Sequence, residues 1–195
     1  MSPKCTLVER MVIVFIWFIT SIGAVSAQIT GKFQVEDYTQ YVPAIAVYGI
    51  DLMGLKAKHS VGERTIVVVS SYLVSTACVQ TLKRTTHIRR PDGSNYLSFP
   101  SGHTATAFVG AHILYKEYKE ISPWIGVAGY AVACGTGAMR VLHKRHWITD
   151  VVAGAGFGVL SVEVSYWLLP IFRSKFVLAP VISADGGGIG MACRF

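Results

Sequence analysis

Apolar residues gather into blocks separated by short polar stretches, and the blocks have the lengths of helices rather than strands. Beyond residue 28 they cover residues 43–55, 65–82, 103–115, 124–139 and 151–172. Only the last clearly reaches the roughly 20 residues that span a bilayer as an α-helix; the second and fourth come close. Asp51 lies within the first block and His112 within the third. Short tilted helices, some shielded from lipid by their neighbours, account for this pattern most simply. The punctuation agrees. Val42-Pro43 opens the first block and Ser122-Pro123 the fourth, with proline in a first turn, where its missing N–H costs nothing. Pro170 is expected to close the last block. The expected fold class is all-α, a membrane-embedded helical bundle of five to six helices.

The ends of the chain differ from this middle. Lys4 and Arg10 precede an apolar run at residues 11–22, and small residues follow at Ala24-Val25-Ser26-Ala27. That is the layout of a signal peptide cut after Ala27, with a retained first transmembrane helix as the alternative. Residues 28–174 then form the bundle and residues 175–195 a separate tail. In the tail, residues 176–183 and 189–195 flank Asp185-Gly186-Gly187-Gly188, as in a hairpin. Gly154-Ala155-Gly156-Phe157-Gly158 has the glycines of a dinucleotide loop, but no strand precedes it. Glycines four apart in an apolar helix point instead to close helix packing.

Composition strengthens the membrane reading. Hydrophobic residues make up 52% of the 195 and charged residues only 15%, against about 25% charged in soluble domains. Mean hydropathy is +0.46. None of the four cysteines (Cys5, Cys78, Cys134, Cys193) forms a CxxC pair or a zinc-ligand spacing. Cys78 and Cys134 are expected as small buried residues of apolar helices.

The formal charge of +7 does not indicate a nucleic-acid partner, because no basic helix face alternates with aromatics. The bases fall in short runs between apolar blocks. Place the loops at residues 83–102 and 140–149 on one side of the membrane together with residues 28–42. Outside the two loops that side carries one base, Lys32. The other carries ten: Lys4, Arg10, Lys56, Lys58, Arg64, Lys116, Lys119, Arg173, Lys175 and Arg194. Cytoplasmic segments are enriched in Lys and Arg, so the two loops are expected outside.

Those loops hold the candidate chemistry. In the second, Arg140 is followed by His146 and Asp150. If a helix begins near Trp147, His146 and Asp150 lie one turn apart. A carboxylate accepting from one imidazole nitrogen fixes the tautomer and leaves the other nitrogen as a nucleophile; a His–Asp helix cap is the plainer alternative. In the first loop, Pro100-Ser101-Gly102-His103 reads as a helix start. Ser101 is a good N-cap, Gly102 lets backbone approach a ligand, and free N–H groups at a helix start bind phosphate oxygens. His103 projects there as a candidate proton donor. Lys83 and Arg90, the latter stiffened by Pro91, join Arg140 as candidate charge clamps. Basic flanks of a membrane helix remain the simpler reading for Arg84, Arg89, Lys144 and Arg145.

In order and spacing, these segments resemble the type 2 phosphatidic acid phosphatase superfamily, with its signature Lys-x6-Arg-Pro, Pro-Ser-Gly-His and Ser-Arg-x5-His-x3-Asp. The matching positions are Lys83, Arg90 and Pro91; Pro100, Ser101, Gly102 and His103; and Arg140, His146 and Asp150. Met139 stands where the pattern has serine, a phosphate-binding position in the family. The resemblance covers about residues 65–172. It implies a helical bundle with its active site at the outer face and a hydrolase that passes through a phosphohistidine at His146, oriented by Asp150. His103 would serve as acid and then base. Lys83, Arg90, Arg140 and the backbone of Ser101 and Gly102 would bind the phosphoryl group, without metal or other cofactor.

Residues 90–108 are similar to bacterial envelope members, including lipid A phosphatases. The implied place is a bacterial inner (cytoplasmic) membrane with the active site facing the periplasm. The implied partner is a phosphorylated lipid: lipid A, a polyprenyl diphosphate or phosphatidylglycerol phosphate. A soluble periplasmic acid phosphatase of the same superfamily and an inactive phospholipid-binding member are the alternatives. The related vanadate haloperoxidases are usually far longer chains. Nothing in the sequence bears on oligomeric state.

Overall fold

The computed structural model describes residues 34–183 and 186–193; the signal-like segment at residues 1–27 lies outside them. Six helices follow in order: α1 (Glu36–Thr39), α2 (Val42–Leu52), α3 (Val61–Thr86), α4 (Gly102–Tyr118), α5 (Pro123–Leu142) and α6 (Ile148–Lys175). A hairpin of β1 (Phe176–Ser183) and β2 (Gly186–Cys193) ends the described chain, antiparallel from Phe176 opposite Cys193 to Ser183 opposite Gly186.

The helix starts have local causes. Ser60 and Glu63 form a reciprocal capping box that begins α3, so this helix starts before its apolar run. Ser101 caps α4 by accepting from the Thr104 N–H. Proline occupies the first turn of both α2 and α5. Pro170 does not end α6, contrary to expectation; the helix runs through it to Lys175. A proline removes one N–H and crowds one carbonyl, and helices packed in a membrane tolerate this.

α4 is the centre. Ala107, Val109, Ala111, Ile113 and Leu114 are fully buried, and α2, α3, α5 and α6 all pack on this helix. α6 approaches it closely, backbone to backbone. A Cβ on Gly154 would lie 2.5 Å from the Ser101 carbonyl oxygen, and one on Gly158 would lie 2.6 Å from that of Ala105. This is the small-residue packing that the glycine spacing suggested.

The periphery is apolar. Leu73, Trp124, Val127, Leu160 and Trp167 are exposed, and α3, α5 and Ile148–Phe172 of α6 are long and apolar enough to cross a membrane. The fold is a membrane helical bundle, and these side chains form its lipid-facing surface. Cys78 and Cys134 are exposed as well, not buried as expected: the two helices present apolar residues on both faces, so apolar character alone did not tell lipid side from core side. At the end of α4 remote from the Pro100–His103 loop, buried Arg64 pairs with Asp51 at 2.7 Å and donates to the Val47 carbonyl. Buried Glu117 there accepts from both His59 and Tyr166.

Candidate active site

The sequence segments that seemed separate meet at the other end of α4. Lys83 comes from the last turn of α3, Gly102 and His103 from the first turn of α4, and Arg90 and His146 from the connecting loops. All five line one pocket of about 380 Å³, with Gln40, Tyr41, Ser75, Thr76, Gln80 and Thr106 on its walls.

His146 sits in the loop before α6 and is almost wholly buried. Its pKa falls from 6.5 to about 3, first because burial disfavours the charged ring, then because Lys83, Arg90 and Arg140 repel a fourth positive charge; the Ser98 backbone opposes them. The imidazole is therefore neutral near pH 7. Its Nδ1 lies 3.5 Å from Asp150 Oδ2 and has no hydrogen-bond partner among the described residues. Expected pairing and observed geometry differ here. The Asp150 carboxylate accepts from the Ser98 hydroxyl and from the Trp147 N–H (2.9 Å) at the start of α6, so those donors hold the oxygen nearest to His146.

Asp150 reaches further. Its backbone carbonyl accepts from the Ser101 N–H at 2.9 Å. Ser101 is buried, and its hydroxyl is engaged by Thr104. The turn before it depends on Gly93, whose φ of +74° suits glycine and whose N–H donates to the Arg90 carbonyl.

Three cations gather here. Lys83 Nζ donates to the Leu97 carbonyl at 2.8 Å and forms no ion pair among the described residues. The Nε atoms of Arg90 and Arg140 are buried without hydrogen-bond partners among the described residues. Arg140 Nη1 lies 3.2 Å from Gln34 Oε1, 3.4 Å from Glu36 Oε1 and 3.7 Å from Asp37 Oδ1. Glu36 is fully buried and also accepts from His143 at 2.7 Å. Burial raises its pKa, but the bond from His143 and the charges of His143 and Arg140 outweigh that and lower it overall. His103 Nε2 is 2.8 Å from Asp37 Oδ1.

All the residues singled out from sequence, namely Lys83, Arg90, Ser101, Gly102, His103, Arg140, His146 and Asp150, thus belong to one cluster. Sequence reasoning missed Gln34, Glu36, Asp37, Ser98 and His143. The first three lie more than 60 positions from the histidine and arginine they touch, and no local pattern marks them.

Residues 64–173 match the PAP2 superfamily, which is more than half of the chain. The chain belongs to the PAP2 superfamily. A curated relative, the lipid A 1-phosphatase of Porphyromonas gingivalis, is 38% identical over 142 residues. That alignment takes in 72% of this chain but only 32% of the relative, so the chain spans about a third of the relative's length. In fold the chain is similar to the crystal structure of Aquifex aeolicus LpxE, at a TM-score of 0.51 and 24% identity over 68% of this chain and 83% of that one. A transmembrane PAP2-type phosphatidylglycerolphosphate phosphatase from Bacillus subtilis gives a weaker match, at 0.41 and 18% over 80% of this chain and 94% of that one.

Proposed function

We propose that the chain is a metal-independent phosphatase of a membrane lipid that works through a phosphohistidine at His146. The reading rests on one observation above all: a buried, neutral imidazole shares a pocket with Lys83, Arg90 and His103. A neutral ring keeps a lone pair for attack, and nearby cations favour a bound dianion. The Arg90 and Arg140 Nε atoms, which lack partners among the described residues, are donors that phosphoryl oxygens would satisfy, since buried polar groups ordinarily have partners.

In the proposed mechanism Nδ1 of His146 faces Asp150, and Nε2 attacks phosphorus. A P–N bond forms as the P–O bond to the lipid breaks. His103 gives its proton to the leaving oxygen, then takes one from the water that opens the phosphohistidine. Lys83, Arg90, Arg140 and the N–H groups at the start of α4 hold the phosphoryl oxygens.

The similarity to a lipid A 1-phosphatase supports lipid A as first candidate substrate, with phosphatidylglycerol phosphate and polyprenyl diphosphates next. The end of the bundle away from the pocket carries Lys56, Lys58, Arg64, Lys116 and Lys119. That distribution supports an inner-membrane protein with its pocket toward the periplasm.

The test is phosphate release from each of the three lipids by purified full-length protein in detergent with chelator present. His146→Ala and His103→Ala should each lower turnover by at least about 10²-fold. An acid-labile, alkali-stable phosphoenzyme should form in wild type and be absent from His146→Ala. Wild-type turnover by His146→Ala, or no release from any of the three lipids, would refute the proposal.

A further inference from the structure

The reaction assigned to His103 requires that ring to hold a proton until the leaving oxygen needs it, yet its surroundings oppose a charge. Arg140 of α5, Lys83 of α3, and Arg90 and His146 of the loops share its site, and Glu36 and Asp37 of α1 are the carboxylates near it. Burial and Arg140 push the ring's pKa down, and the hydrogen bond to Asp37 pulls it up without fully compensating. Among the described residues Asp37 is the hydrogen-bond partner of the ring, and it takes Nε2 at 2.8 Å.

Resting on the function proposed above, we infer that Asp37 is the positioning residue of His103: it anchors Nε2 so that Nδ1 faces the leaving oxygen, and it stabilises the imidazolium. In the first step the Nδ1–H proton moves to the leaving oxygen as the P–O bond breaks, while Nε2–H stays on the Asp37 carboxylate. In the second step the Nδ1 lone pair accepts a proton from the attacking water, and the imidazolium returns. Asp37 touches neither substrate nor phosphorus in either step. His103 and Asp37 thereby form a hydrogen-bonded His–carboxylate pair in the site, alongside His143 and Glu36 at 2.7 Å and the looser approach of His146 to Asp150 at 3.5 Å. Its carboxylate comes from outside residues 64–173 that match the family.

The Asp37 side chain is 48% exposed, and its contact with buried Arg140 is the longer one, at 3.7 Å, so Asp37→Asn and Asp37→Glu are suited to a folded comparison. The experiment measures kcat/KM against pH for full-length wild type, Asp37→Asn, Asp37→Glu and His103→Ala. The probes are lipid A bisphosphate and short-chain phosphatidylglycerol phosphate, both in detergent micelles. An imidazolium that loses a carboxylate within hydrogen-bond distance loses its proton more easily. The alkaline limb of Asp37→Asn should therefore move about one unit lower, with kcat down about tenfold. Asp37→Glu should restore most of the limb, and melting temperatures should match wild type.

Asp37→Asn with the wild-type limb and rate, beside an inactive His103→Ala, would overturn this inference alone. Faster turnover by Asp37→Asn would overturn it too, by making Asp37 an occupant of the anion site that substrate must displace. Wild-type turnover by His103→Ala would instead remove the acid role on which the inference stands.

Discussion

A single methyl group tests how tightly the turn at Ser101 is held. Gly154 and Gly156 lie two positions apart on α6, but a Cβ at Gly154 would sit 2.5 Å from the Ser101 carbonyl oxygen, while one at Gly156 would meet nothing within 4 Å. Ordinary van der Waals contact begins near 3.4 Å, so Gly154→Ala must drive the Ser101 backbone and α6 apart by about 0.9 Å. Neither side can yield cheaply, because the Ser101 oxygen is backbone and a Cβ is fixed rigidly to its own backbone. The displaced segment carries the N–H groups and His103 proposed to meet the phosphoryl group, and its Ser101 N–H bonds to Asp150. Misplacement by about 1 Å can cost about 10²-fold in rate.

In stability, overpacking costs about 1–3 kcal/mol, against about 1 kcal/mol gained from replacing glycine by alanine in a helix. Gly154→Ala should therefore melt at or below wild type, and Gly156→Ala at or above it. In steady-state phosphate release, Gly154→Ala should lose one to two orders of magnitude in kcat, and Gly156→Ala should keep the wild-type value. Equal rates and melting temperatures for the two variants would refute the account of this contact.

Two further outcomes follow from the same cluster. Ser98 is fully buried and donates to Asp150; Ser98→Ala leaves that carboxylate short of a donor. Thermal unfolding should show a loss of about 1–3 kcal/mol, and an unchanged melting temperature would contradict the role. His146 has its pKa lowered from 6.5 to about 3, so between those values the unfolded chain takes up a proton that the folded chain refuses. Stability should fall as pH drops from about 6.5 towards 3. His146→Ala should flatten that fall, whereas parallel melting curves against pH would contradict the assigned burial and repulsion.

The helices and the motif positions were legible in sequence because both are local. Blocks of apolar residues mark α2 to α6, and Lys83, Arg90, Ser101, His103, Arg140, His146 and Asp150 follow a fixed order. The early start of α3 was missed, because the block was bounded by its apolar run; Ser60 and Glu63 have the capping-box spacing that marks it. Other features had no local signal. Glu36 and Asp37 reach Arg140 and His103 only through folding. The exposure of Cys78 and Cys134 depends on which side of each helix meets lipid. Asp150 pairs with Ser98 and Trp147 in preference to His146 because two better-placed donors compete for the same oxygen.

Asp150 also determines what can move. Its carboxylate fastens the Ser98 loop to the first turn of α6, and its backbone oxygen fastens the first turn of α4 to the same place. The segment of the proposed nucleophile and the proposed anion seat are therefore tied to each other through one residue and not built as two hinged jaws. The pocket walls at Gln40 and Tyr41, and at Ser75, Thr76 and Gln80 of α3, lie outside this fastening, so any rearrangement for the proposed lipid falls to them.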